Sequence, residues 1–264
     1  MKGNSLSSNF LLLITVLFIF SSWQNNKKAK REFYQLTVYH FNTTAQEKAL
    51  DIYLQNALVP AMHRAGVKTV GVFKSWANDT VADKLMYVFV PVSSLDKMES
   101  IHGQLEKDNE YSTAAESFLN ADYKNPSYTR KETILLHAFP LAPQMHLPLL
   151  QSPKKSRVYE LRSYESATEE KFENKVKMFN EGGEIEIFKR LNFNPVFYSE
   201  VIAGSKMPNL MYMTSFENRT DREAHWKAFS SDSTWKKISS LPGYQNNVSH
   251  IDISFLYPAE YSDF

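Results

Sequence analysis

Apolar and polar residues alternate between Arg157 and Tyr164, with Tyr159 and Leu161 set against Glu160 and Arg162. A period of two is the signature of a strand with one buried face. A related stretch runs from Glu32 to Tyr39, where Tyr34, Leu36 and Tyr39 precede Tyr159, Leu161 and Tyr164 by 125 residues. The same offset relates Leu85-Met86-Tyr87 to Leu210-Met211-Tyr212 and Phe73 to Tyr198. Three segments in one register predict a unit written twice. Two copies are too few for a solenoid and point to two similar domains packed together.

Each copy reads strand, helix, strand, strand, helix, strand. In the first, Phe33 to Phe41 is a strand, and the Thr44-Ala45-Gln46-Glu47 capping-box spacing opens a helix carrying Leu50, Tyr53, Leu54, Ala57 and Leu58. Pro60 should kink or divide that helix. Strands follow at Thr69 to Ser75 and Lys84 to Val90, then a helical region after Ser93 or Ser94, and a closing strand from Thr133 to Phe139. In the second copy, Ser166 to Glu169 is the capping-box spacing, and Gly182-Gly183 interrupts the helix near the place Pro60 takes in the first. Strands are predicted at Asn194 to Ile202 and Leu210 to Phe216, and Thr220 to Glu223 caps the next helix. Along the last strand, Val248 to Tyr257, the residues Ile251, Ile253 and Phe255 point one way and His250, Asp252 and Ser254 the other. The resulting boundaries are 32–140 for the first domain, a Pro-rich linker at 141–156, and 157–258 for the second.

Residues 1–25 stand outside this plan. Lys2 precedes an apolar run from Phe10 to Phe20 that is too short for an ordinary membrane span and suits a secretory signal. The weak cleavage site after Phe20 and the charges at Lys27, Lys28, Lys30 and Arg31 keep an uncleaved anchor as the alternative. The expected location is therefore exported, periplasmic or extracellular, or else membrane-anchored through this segment alone.

A net charge of +1 from 30 basic and 29 acidic residues gives no field that would gather nucleic acid. The absence of cysteine removes disulfides, thiolate nucleophiles and cysteine-held metals. No phosphate-binding glycine loop, nucleophile elbow or paired-histidine helix occurs, so the sequence predicts no cofactor and no metal. His225 reads as a helix-edge residue, and Trp226, Phe229 and Trp235 as core anchors at helical spacing.

The residues Val158-Tyr159-Glu160-Leu161-Arg162-Ser163-Tyr164, Glu223-Ala224-His225-Trp226-Lys227-Ala228-Phe229 and Asp232-Ser233-Thr234-Trp235-Lys236 resemble the NIPSNAP family. The resemblance covers about residues 157 to 258. In the first half Gln35 and Thr37 stand where the Glu and Arg of the strand would be, and no paired tryptophans occur. The resemblance implies an α+β fold of two tandem ferredoxin-like domains that form a dimeric α+β barrel within one chain. Relatives of that fold include cofactor-free monooxygenases, haem-binding proteins and isomerases, so the fold implies no one chemistry.

Two functions of different class follow. The first is a small-molecule-binding or protein-interaction protein that uses the barrel. The second is a cofactor-independent monooxygenase or isomerase acting inside it. Further pairing of chains into a homo-oligomer is compatible with both. In the ferredoxin-like order the first and last strands of a unit are neighbours, which predicts that Glu160 and Arg162 meet His250 and Asp252 on the side away from the helices. Those four residues are the candidate ligand site, with a structural salt-bridge network as the bland reading.

Overall fold

A computed structural model describes residues 29–264. The residues assigned to a signal or anchor lie outside the described residues. Among the described residues no helix is long and apolar enough to cross a membrane.

The first half contains β1 (Phe33–Phe41), α1 (Thr44–Tyr53), α2 (Val59–Arg64), β2 (Gly71–Ser75), β3 (Lys84–Val92), α3 (Leu95–Leu105), α4 (Asn109–Leu119) and β4 (Arg130–Ala138). The second contains β5 (Val158–Glu165), α5 (Glu169–Asn180), α6 (Glu184–Arg190), β6 (Pro195–Ala203), β7 (Asn209–Phe216), α7 (Arg219–Ser231), α8 (Ser233–Ser239) and β8 (His250–Pro258). The predicted element order holds in both halves. All eight strands close into one antiparallel barrel in the order β1-β3-β2-β8-β5-β7-β6-β4. The two four-stranded sheets join edge to edge through β2 with β8 and β4 with β6, so neither sheet keeps a free edge.

Apolar residues separate into three bodies. Tyr39, Leu50, Leu54, Met86 and Phe118 pack between the first sheet and its helices. Tyr164, Phe179, Phe188, Tyr212 and Phe229 do the same in the second half. Tyr34, Leu36, Phe89, Tyr159, Leu161, Phe197 and Met213 fill the barrel lumen between the sheets. Eight strands enclose a space that side chains nearly fill, leaving room for at most a small ligand.

The repeat at 125 residues is exact in space only for the first strands, where Tyr34 and Leu36 share the lumen with Tyr159 and Leu161. Elsewhere it is out of phase. Tyr87 and Phe73 face the lumen, whereas Tyr212 and Tyr198 face the helices. Register gives the reason: Leu36 pairs with Phe89 but Leu161 pairs with Met213, so β3 and β7 correspond at an offset of 124.

Helix starts also shift. Thr43, not Thr44, accepts from the Gln46 amide, and the Gln46 side chain completes the box. Thr168 caps α5, while the Ser166 hydroxyl donates instead to the Asn247 carbonyl. Asn218 caps α7 in place of Thr220. Pro60 does not break its helix, because a wider π turn at Leu54–Leu58 carries α1 into α2 and Val59 N–H donates to the Leu54 carbonyl. In the second half the break does occur. Gly183 adopts φ 90°, a left-handed conformation that favours glycine, between α5 and α6.

One end of the lumen is closed by aromatic rings. The segment after β8 laces onto the start of β2, with Ala259 N–H donating to the Val72 carbonyl and Val72 N–H to the Ser262 hydroxyl. Phe264 is thereby seated against Phe73, Phe89 and Tyr159, with ring centroids 5.2, 6.1 and 6.0 Å away.

Candidate functional site

The four ionisable residues singled out from sequence do not converge. Glu160 pairs with Phe255 and Arg162 with Ile253, whereas Asp252 pairs with Ser163 and His250 with Glu165. Directly paired residues share a face, so Glu160 and Arg162 belong to the face opposite His250 and Asp252. The first pair lies under the helices of the second half, and the second pair sits at the barrel mouth.

Under the helices, the fully buried Glu160 carboxylate is enclosed by donors. Arg222 of α7 grips it with two hydrogen bonds of 2.7 and 2.9 Å, Trp226 Nε1 donates at 2.8 Å, and Arg162 Nε donates at 2.7 Å. Burial pushes the Glu160 carboxyl up, but Arg222 and Arg162 outweigh it and hold the group below the usual carboxylate value. Arg162 Nη1 donates to the Tyr164 hydroxyl, which bonds the Tyr212 hydroxyl at 2.9 Å. Nearby, Lys175 donates to the buried Glu184 at 2.7 Å. Every strong charge here has a partner within the protein, which makes this cluster a structural network. Arg222 is the partner that sequence reasoning missed. It lies four residues before Trp226 on one helix face, a spacing that could have signalled it.

The mouth of the lumen is different. A cavity of about 310 Å³ opens there, lined from both halves. Its walls are Leu36 and Val38 of β1, Tyr87 of β3, Leu161 of β5 and Met211 of β7, and polar groups ring it. Asn209 donates to Ser163 at 2.8 Å, and the Tyr87 and Ser254 hydroxyls lie 3.3 Å apart. Burial pushes the Tyr87 hydroxyl up, so it stays protonated near neutral pH. Lys206, in the loop between β6 and β7 at φ 66°, donates to Asp252 at 2.6 Å, and His250 approaches the same carboxylate at 3.0 Å. Lys206 and His250 hold Asp252 below its ordinary value against the effect of burial. Across the mouth, His40 Nδ1 lies 2.9 Å from Asp83.

Glu165, His250 and Asp252 bring ligand atoms within 4.8 Å of one another, a spacing suited to a divalent cation. The Lys206 ammonium supplies positive charge at that place, 2.6 Å from Asp252 and 3.9 Å from Glu165. A second hollow of about 510 Å³ runs along the linker beside Leu141, Leu147 and Leu149, and is more open and more apolar. His225 bonds the Asp221 carbonyl on the flank of α7, in keeping with its reading as a helix-edge residue.

A model of the NIPSNAP family matches residues 159–263, the span from β5 to the segment beyond β8. The second half of the chain is a NIPSNAP domain. No curated protein matches the chain. Among solved structures, a candidate monooxygenase from Lactobacillus acidophilus NCFM superposes with a TM-score of 0.57 at 10% identity, over 87% of this chain and 94% of that one. A second candidate monooxygenase, from Fusobacterium nucleatum, gives 0.53 at 8% identity over 87% and 93%. A NIPSNAP family protein of unknown function from Agrobacterium tumefaciens is 20% identical over 43% of this chain and 98% of its own, with a TM-score of 0.37. At these identities the first two likenesses show a shared fold, with the non-NIPSNAP half completing the barrel around the NIPSNAP half.

Proposed function

We propose that this protein binds a small amphipathic molecule in the barrel lumen, entering by the mouth that the NIPSNAP half and the first half build together. The observation that carries this reading is the cavity of about 310 Å³ with apolar walls, convergent hydroxyl and amide groups, and a sealed far end. Such a combination suits a ligand of modest size held by a few oriented polar groups. At the rim Lys206 is paired with Asp252, and the carboxylates of Asp83 and Glu132 stand beside His40, a surplus of negative groups that suits a ligand whose polar end is a neutral hydroxyl or carbonyl rather than an anion. Ser163, Asn209, Ser254 and Tyr87 are the groups that would meet it.

Native mass spectrometry of the full chain tests the reading. Wild-type protein should carry a co-purifying small molecule that is absent from Ser254→Trp, whose indole would fill the mouth. A folded Ser254→Trp variant that retains the same adduct would place the binding elsewhere.

A further inference from the structure

The lumen-facing residues of β5 and β8 continue past the cavity walls onto its lip. Leu161 and Ser163 lead to Glu165 on β5, and Ser254 and Asp252 lead to His250 on β8, each step two residues along the strand. Glu165 stands directly opposite His250, and Ser163 opposite Asp252, so two carboxylates and an imidazole finish one face. The three groups bring ligand atoms within 4.8 Å of one another, and none of them is buried. His250 Nε2 and Asp252 Oδ1 are 3.0 Å apart. Two ligands held about 2.1 Å from one metal ion stand roughly 3.0 to 3.4 Å apart, so this pair already has the required spacing. Rotation of the solvent-accessible side chains closes the rest.

A cation already rests on these carboxylates. Lys206 Nζ lies 2.6 Å from Asp252 and 3.9 Å from Glu165, which marks the spot as one that draws positive charge. One ammonium answers only one of the two negative charges, and Asp83 and Glu132 add two more carboxylates across the mouth. The Lys206 side chain is 54% exposed, so its ion pair is of the weak surface kind and the ammonium can swing into water.

We infer that Glu165, His250 and Asp252 form a binding site for a divalent first-row transition ion of the Zn²⁺ type, and that Lys206 is a built-in competitor that leaves as the ion enters. Two carboxylates with a neutral imidazole balance the charge of such an ion. The imidazole selects against Mg²⁺ and Ca²⁺, which take oxygen ligands. Three protein ligands leave a coordination position open for water or another donor, and Asp252 also lines the cavity, so the ion stands at the entrance to the lumen. The inference needs no molecule in the lumen, so it stands or falls apart from the lumen-binding reading.

The bland alternative is an ion-pair cluster that ties the β6–β7 loop to the lip and affects stability alone.

Calorimetric titration of the full chain with Zn²⁺, in a buffer that does not chelate it, separates the two. Wild-type protein should bind one Zn²⁺ per chain with saturation, and a large excess of Mg²⁺ should not displace it. His250→Gln and Asp252→Asn should each weaken binding about tenfold or more while melting cooperatively, since loss of a ligand costs at least as much as loss of an outer-shell partner. Lys206→Met should tighten it about twofold or more, because the competing ammonium is gone. A merely structural Lys206 would give a less stable variant with no gain in affinity. Co²⁺, which accepts the same ligands, gives the location: its paramagnetism should move the methyl signals of Ile251 and Ile253, which flank the ligands on β8, and spare Leu141, Leu147 and Leu149 on the linker. No saturable binding to wild type, binding unchanged by His250→Gln and Asp252→Asn, or no tightening in Lys206→Met would overturn the inference.

Discussion

Arg162 sits over Trp226, its guanidinium carbon 3.7 Å from the ring centroid. The indole Nε1–H of Trp226 is bonded at the same time to Glu160, the carboxylate that Arg162 also grips. Strand β5 and helix α7 are thus fastened by a carboxylate, two guanidiniums and an indole. Two of the three sequence stretches that resemble NIPSNAP meet in this knot, Val158 to Tyr164 and Glu223 to Phe229. Its burial and complete pairing assign those residues to holding helix on sheet.

Breaking the knot from the carboxylate side should be costly. Glu160→Gln leaves two guanidiniums short of their counter-charge under α7 and should destabilise the protein by about 3 to 5 kcal/mol, the usual loss when one partner of a buried pair is removed. Equilibrium denaturation of Glu160→Gln, Arg222→Met and the double variant checks this. The double variant should lose less than the sum of the single losses, because both remove the same contact.

Acid should find the same weak point. The Glu160 carboxyl sits below its unfolded value near 4.5, so its contribution is complete above that pH and is lost as pH falls through the lower folded value. Burial pushes Glu184 the other way, against the pull of Lys175, so its carboxyl favours folding below about 4.5 and opposes it as pH rises. Thermal melts of wild type and Glu160→Gln between pH 7 and pH 3 should therefore show a wide gap at neutral pH that closes below about pH 4.5. A constant gap would contradict the assignment.

The two halves should be inseparable. Residues 155–264 alone would expose Tyr159, Leu161, Phe197 and Met213 to water and leave β6 and β8 as open edges. Light scattering on that fragment should find a self-paired or aggregated species, and a cooperatively folded monomer would contradict the account.

Much of this architecture was legible in periodicity. Alternation at Tyr34, Leu36, Tyr159 and Leu161 identified the lumen-facing residues of both first strands, and Gly182-Gly183 marked a real break. The site was less legible, because strand neighbours do not by themselves fix which residues pair. A one-residue difference in register moves Glu160 and Arg162 from the lumen to the helix side. His40 and Asp83 lie 43 residues apart and meet only through the β1–β3 pairing, so no local spacing announces them. Pro60 misled for a different reason, since a π turn absorbed the missing donor within a continuous helix.

We propose export on the strength of Lys2 and the apolar run from Phe10 to Phe20. Amino-terminal sequencing of protein recovered outside the cytoplasm should begin between about residues 21 and 31. Intact Met1 in a cytosolic fraction would contradict it.

The central claim, that the barrel lumen is the binding site, meets its most direct test in methyl-detected NMR of the full chain titrated with small neutral aromatic ketones and alcohols. The methyl groups of Leu36, Val38, Leu161 and Met211 should shift together and saturate at one common dissociation constant. Shifts confined to Leu141, Leu147 and Leu149 along the linker, with the lumen methyls unmoved, would contradict it.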